Sequence, residues 1–316
     1  MSGPLKIDTH IHLYSSRPEG EWWKTGYEIW EYGERDGVHF SKDAGTLEET
    51  VAALGRGGFD HGVVVNLFSA DLFRLQYEST LAPEAEVAER AQALAQFDVT
   101  ISERYMAFNR WLMDTLADVP AVSGFVAMDP GTLSPERNVE HLREMADRGA
   151  RGVKLHPVVQ KFEPDDPRMH TVYQACIDMG LTVLSHTGPA RSGEPFAEVP
   201  AFAPVLREFP TLSVLLAHLG GGKWRETLAV AQAFPSVAFD LCEIIEWAGA
   251  SNAPTTEELA RLIRDIGPER VVLGSDYPWY EPAHTAELVL SLPVLSQAEK
   301  NAILGENAAR ILRLSV

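Results

Sequence analysis

Leu5-Lys6-Ile7-Asp8-Thr9-His10-Ile11-His12 is a short apolar run that closes on two histidines one residue apart. With Leu5, Ile7 and Ile11 as its apolar positions, it reads as a β-strand. Side chains alternate faces along a strand, so Asp8, His10 and His12 project to one side. Two neutral imidazoles side by side at a strand end offer two lone pairs to one metal ion. Such a pair near an N-terminus is more often ordinary polar surface, and the rest of the chain has to decide between the two.

Seven more apolar, β-branched segments follow, at residues 61–68, 122–129, 151–157, 181–186, 212–218, 237–241 and 271–276. Near-continuous apolar runs are the signature of parallel strands covered on both faces. Between them lie amphipathic stretches with helix punctuation. Thr46 opens one that runs to Gly57, Ser134-Pro135-Glu136 opens one that ends at Gly149, and Asp166 opens one that ends at Gly180. Thr255 and Thr256 precede a helix stopped by Gly267-Pro268, and 297–314 reads as a terminal helix with Gly305 as a break. Strand–helix units in this succession predict one α/β domain over 1–316, a distorted (β/α)8 TIM barrel with a C-terminal helix. A doubly wound sheet fits less well, because no glycine-rich phosphate loop follows the first strand. Two insertions interrupt the spacing. Residues 13–45 follow strand one and carry Trp22, Trp23, Tyr27, Trp30 and Tyr32; residues 69–117 follow strand two and include a helical stretch at 85–96. Both leave the strand ends where barrel active sites form, as a lid or a dimer contact, and a homodimer is expected.

The chain has 27 basic and 45 acidic residues, a formal net charge of −18, which argues against nucleic acid and against an anionic membrane surface. The N-terminus lacks a secretory signal, no apolar run is long enough to span a bilayer, and Cys176 and Cys242 are too few for a disulfide framework. The reading is a cytoplasmic protein with two reduced core cysteines.

The strand ends carry the chemistry. Strand one ends in His10 and His12, strand four in Lys154 and His156, strand five in His186, strand six in His218 and strand eight in Asp276. One polar residue at one barrel strand end is unremarkable. Metal-capable residues at so many, all facing one mouth, indicate a metal site.

Taken together, Asp8-Thr9-His10-Ile11-His12, Ser185-His186-Thr187-Gly188, Ala217-His218-Leu219-Gly220-Gly221 and Gly274-Ser275-Asp276-Tyr277-Pro278 resemble the amidohydrolase superfamily. More narrowly, they resemble its amidohydrolase 2 branch, as do the segment 152–157 and the closing Gly305-Glu306-Asn307-Ala308-Ala309-Arg310. The resemblance spans nearly the whole chain outside the insertions. It implies one divalent metal ion, zinc in the first instance with manganese or iron as alternatives, on His10, His12, His186 and Asp276. It implies a proton-handling role for His218, and Asp276 doubles as a possible base. Lys154 stands where binuclear members of the superfamily carry a carboxylated, metal-bridging lysine; here it is read as a cation facing an anionic substrate group. His156 is either a strand-end hydrogen-bonding residue or a substrate contact. Arg191, Trp224, Glu243, Trp279 and Tyr280 are candidate pocket walls, Arg191 and Trp279 as substrate contacts. His39, His61, His141, His170 and His284 fall in loops and helices, away from the strand ends.

The function implied is a metal-dependent hydrolase acting through metal-activated water on a small, carboxylate-bearing molecule. Non-oxidative decarboxylation at the same site is the alternative, and a non-catalytic metal-binding barrel the third reading.

Overall fold

Valine-, isoleucine- and leucine-rich runs bury both faces only when helices cover them on one side and packed side chains on the other. The computed structural model, which describes residues 3–26, 29–83 and 86–314, shows that arrangement; Tyr27 and Ala85 lie outside the described residues. The strands are β1 (Ile7–Ile11), β2 (His61–Val65), β3 (Val122–Ala127) and β4 (Gly152–Leu155). They continue as β5 (Thr182–Ser185), β6 (Ser213–Leu216), β7 (Ala238–Asp240) and β8 (Val271–Val272). They form one parallel sheet in the order β1 to β8. β1 meets the β8 tail through Thr9 N–H to Leu273 O (3.0 Å) and Asp276 N–H to His10 O (2.9 Å), which brings the last strand against the first. The predicted (β/α)8 barrel is the observed fold.

The helices begin where the punctuation places them. The Thr46 hydroxyl caps Leu47–Gly57 in a capping box with Glu49, and Thr255 caps Thr256–Ile266 in the same way with Glu258. Ser134 caps Pro135–Asp147, and Asp166 caps Pro167–Met179, which ends on Gly180 at φ 67°. Several predicted strands run past the observed ladders. The segment 271–276 is laddered to β7 only over Val271–Val272, and its tail, from Leu273 to Asp276, bonds to β1 instead.

Gly305 is not a break but the interior of a wide turn. Helix Gln297–Asn301 passes through a π-turn, Ala302–Glu306, into Asn307–Ile311. A Cβ at Gly305 would lie 2.5 Å from the Leu5 carbonyl oxygen, so the terminal helix seats against β1 only with no side chain there. Gly305→Ala is therefore expected to destabilise the fold by about 1–3 kcal/mol despite alanine's better helix propensity. A thermal melt unchanged from wild type would contradict that contact.

The insertions form the helix Arg17–Gly26, then Ala70–Glu78 and the 30-residue helix Val87–Leu116. Tyr32 is buried and stacks on Trp247, while Trp22 and Trp30 remain exposed. Among the described residues no helix is long and apolar enough to cross a membrane.

Candidate metal-dependent active site

The C-terminal strand ends open on one cavity of about 340 Å³, and His10, His12, Lys154, His156, His186, His218, Asp276 and Trp279 all line it. Both insertions supply walls, Tyr14 and Trp23 from the first, Phe73, Arg104 and Phe108 from the second.

Among the described residues three groupings of metal-capable side chains converge here: His10, His12 and Asp276; His10, His218 and Cys242; and His218, Glu243 and Asp276. Asp276 Oδ1 lies 3.5 Å from His10 Nε2 and 3.1 Å from His12 Nε2. Two ligand bonds of about 2.1 Å at a tetrahedral angle span about 3.4 Å, so these separations match the edges of a zinc-like coordination shell. The donor set, two imidazole nitrogens and a carboxylate oxygen, fits a divalent ion. Burial raises Asp276, but the hydrogen bond from His12 and the charge of His10 outweigh it and hold the carboxyl well below its usual range. His186 lines the same cavity, stacked on His156 with ring centroids 3.8 Å apart, and stands apart from this three-donor cluster.

Residues behind the cluster orient it. His10 Nδ1 lies 2.9 Å from Asp240 Oδ2, a carboxyl that burial raises but His10 brings down to about 2. An ionised acceptor there keeps the ring proton on Nδ1 and turns the Nε2 lone pair into the cavity. Nζ of Lys154, a residue 1% exposed, is 2.8 Å from that same Nε2. Burial lowers the lysine, and burial and Lys154 together push His10 down to about 3, so the imidazole is neutral and available as a ligand.

His218 sits in a second polar knot. Its backbone N–H donates to Asp240 Oδ1 at 2.8 Å, and its Nδ1 lies 3.0 Å from Cys242 Sγ and 3.4 Å from Glu243 Oε2. Cys242 Sγ also approaches His10 Nδ1 at 3.1 Å, so this cysteine touches the site rather than only filling core, whereas Cys176 packs among apolar side chains. Glu243 is fully buried, and at that 3.4 Å neither carboxylate oxygen achieves hydrogen-bond geometry with any described group. Burial and the neighbouring Glu31 push its carboxyl well up, and burial lowers His218, so the pair holds one proton most easily as the neutral acid beside a neutral ring. His218 (φ 63°), Glu243 (φ 63°) and Asp276 (φ 61°) all adopt the left-handed region, which costs about 1–3 kcal/mol each and is concentrated here at the mouth.

Gly188 of the strand-five motif and Gly221 of the strand-six motif have a shared cause. Glu31, carried in by the first insertion, accepts the Gly222 N–H at 2.9 Å. A Cβ on Gly188 or Gly221 would stand 2.7 Å or 2.4 Å from its Oε2. The glycines make the cradle that lets an insertion residue reach beneath the site.

Other predicted residues fall as follows. Trp279 meets His12 edge-on at 5.4 Å, and His156 Nδ1 is buried without a hydrogen-bond partner. Arg191 lies over the Trp30 ring and is not among the residues lining this cavity. Trp224 donates to Asn252 O, and Tyr280 accepts from Trp247, both away from the cavity lining. Of the histidines expected in loops and helices, His61 instead opens β2, where the strand's alternation turns its ring to Ser123, while His141 bonds Asn109 and His284 bonds Glu246 from helices. Asp240, Glu31 and Arg104 were not singled out by the sequence. Asp240 could have been, since it ends strand seven as the other site residues end theirs.

This barrel, with its histidine and aspartate cluster at the strand ends, defines a metal-dependent enzyme class. Residues 7–314 match the family model described as Amidohydrolase, and the chain belongs to that family. It is 26% identical over 209 residues to the 2-amino-3-carboxymuconate-6-semialdehyde decarboxylase of Dictyostelium discoideum, an alignment that spans 57% of this chain and 58% of that protein. Its fold matches the 5-carboxyvanillate decarboxylase of Sphingomonas paucimobilis with a TM-score of 0.63 at 17% identity, over 99% of this chain and 100% of that one. It matches the 5-carboxyvanillate decarboxylase of Novosphingobium aromaticivorans, solved with manganese and 3-methoxy-4-hydroxy-5-nitrobenzoic acid, with a TM-score of 0.66 at 14% identity, over 99% and 98%. At such identities the structural likeness speaks to the fold alone.

Proposed function

We propose that the chain is a metal-dependent, non-oxidative decarboxylase of a small aromatic or conjugated carboxylic acid. The sequence alone put hydrolysis first. What reverses the order is the cavity: beside the three-donor cluster and buried Lys154 its walls are aromatic, with Phe68, Phe73, Phe108, Trp23 and Trp279 among them. A planar ring packs against such walls while its carboxylate meets the cationic end. The decarboxylase of Dictyostelium discoideum, 26% identical over 209 residues, supports the same choice.

On this reading His10, His12 and Asp276 hold the ion, with His186 as a further ligand. Bound there, a divalent ion supplies a Lewis acid that polarises the oxygens of the substrate. Zinc suits the imidazole-rich set, with manganese or iron as alternatives. The Lys154 side chain balances the negative charge of the carboxylate. His218 delivers a proton to the carbon bearing that carboxylate, Nδ1 facing Glu243 and Cys242 so that Nε2 faces the cavity. The carbon–carbon bond then breaks, the carboxylate leaves as CO₂ and the bonding electron pair stays with the ring, so no oxidant is required.

The test is to load the protein with zinc or manganese, offer a panel of hydroxybenzoic and dicarboxylic acids, and measure CO₂ against acid consumed. One CO₂ per acid is the expected result. Turnover of lactones or amides with no CO₂ from any acid would reverse the assignment to hydrolysis.

A further inference from the structure

We infer that His39 and His284 form a second, external metal site, which takes a divalent transition-metal ion such as zinc and clasps the first insertion to the barrel. The inference does not depend on what the cavity catalyses.

His284 repeats, outside the cavity, the arrangement that prepares His10 within it. Its Nδ1 lies 3.0 Å from Glu246 Oε2, as Nδ1 of His10 lies 2.9 Å from Asp240 Oδ2. Glu246 is 2% exposed, and the Thr285 hydroxyl donates to its other oxygen at 2.7 Å, so the carboxylate is fixed at both oxygens. Among the described residues no other imidazole comes within 3.0 Å of a buried side-chain carboxylate; the next approaches are 3.1 Å at His12 and 3.4 Å at His218. A carboxylate on Nδ1 keeps the proton there and leaves the Nε2 lone pair for an ion, the outer partner that metal-binding histidines ordinarily have. The His284 side chain is 33% exposed, so an ion reaches it from solvent.

His39 supplies the second imidazole. Its ring centroid is 4.8 Å from that of His284, with the planes tilted by 36°. Two imidazoles on one ion, each bond about 2.1 Å long, hold their centroids about 5 Å apart. His10 and His12, the pair already placed on a metal, stand at 5.3 Å. His39 is exposed, and among the described residues its ring nitrogens meet no hydrogen-bonding partner. Two imidazoles leave the remaining coordination positions to water, so this site holds its ion more loosely than the cavity and exchanges it at micromolar free metal.

The two histidines lie on opposite sides of a seam. His39 belongs to the first insertion, whose next residues seat on the turn beyond β8: Phe40 bridges Tyr280, and the Ser41 N–H donates to Trp279 O at 2.8 Å. His284 stands in the first turn of the helix Pro282–Ser291 that follows. Arg35, from the same insertion, donates to the Glu246 carbonyl. An ion shared by both imidazoles closes this seam beside Trp279, the wall residue that meets His12 edge-on.

The experiment takes the full chain, already loaded with its cavity ion, and raises free zinc through the micromolar range in a chelator buffer. Wild type, His39→Ala, His284→Ala and Glu246→Gln are compared. Wild type is expected to take up one zinc per chain more than either histidine variant. It should also melt about 1–3 °C higher at free zinc about tenfold above the dissociation constant, a rise that His39→Ala does not show. Glu246→Gln should weaken the extra uptake about 10- to 100-fold, the usual cost of losing the group that orients a ligand histidine. Melts without added zinc check the fold, and His39→Gln replaces the alanine variant if its melt is lowered. Equal uptake by wild type and the His39 variant, no zinc bound beyond the cavity ion, or uptake that survives in His284→Ala overturns the inference. A chain whose cavity holds no ion still reports the difference between wild type and variants, so failure of the catalytic reading and failure of this one are told apart.

Discussion

His218→Ala is expected to lower kcat by about 10²- to 10⁴-fold, the usual worth of a positioned proton carrier, with metal content equal to wild type. The expectation follows from where the ring stands. His218 lines the cavity with its Nδ1 turned inward to Cys242 Sγ and Glu243, and it shares donor groupings with His10 and with Asp276. A ring so anchored can exchange a proton at Nε2 without giving up its place. Two measurements separate this role from its rivals. Metal analysis showing loss of an equivalent in the variant would make His218 a ligand, the arrangement a binuclear centre would require. Unchanged turnover would remove the proton role altogether. Because residue 218 sits at φ 63°, His218→Asn is the companion variant; asparagine tolerates that conformation better than alanine, so a folding defect shared by neither can be discounted. Free imidazole should restore part of the lost turnover to His218→Ala, since the alanine leaves space for it beside Glu243.

The strand-end logic explains what could be read from the sequence and what could not. Eight apolar runs, five of them carrying metal-capable residues at their carboxyl ends, are a local pattern, and from them the barrel and most of the cavity lining follow: His10, His12, Lys154, His156, His186, His218 and Asp276 share one cavity. Residues that act through contacts distant in sequence escaped. Asp240 meets His10 across 230 positions, and Glu31 reaches Gly222 across 191, so only barrel closure and the path of an insertion bring them in. The apolar neighbours of Cys242 in the sequence point to core, whereas the structure sets its sulfur between two imidazoles. Arg191 and Arg104 show the same limit in loops and insertions. Arg191 follows strand five and Arg104 lies far along the second insertion, and the path taken by the chain turns one over Trp30 and sets the other in the cavity lining.

Asp240→Asn is expected to weaken metal binding by about 10- to 100-fold, the usual cost of losing a carboxylate that orients a histidine ligand. The substitution preserves size and is the more informative for it. One carboxylate oxygen faces His10 Nδ1 at 2.9 Å, and the other accepts the backbone N–H groups of His218 at 2.8 Å and Cys242 at 3.2 Å. Both oxygens accept, and an asparagine amide has only one that can. If its oxygen stays with the backbone, the NH₂ group confronts His10 Nδ1, and the ring must move its proton to Nε2, the nitrogen needed for the metal. If the oxygen turns to His10, the NH₂ group confronts two buried N–H donors, which costs about 1–3 kcal/mol of stability through unsatisfied groups. Either way the two sides of the site, metal ligand and proton carrier, lose their common anchor. Excess metal should recover much of the activity of Asp240→Asn, because the ligand remains and only its tautomer is disfavoured. It should not recover that of His10→Ala, where the ligand is gone. Metal titration by competition with a chelator reads the difference directly, and an Asp240→Asn protein that holds its ion as tightly as wild type would show that β7 does not orient the His10 ring.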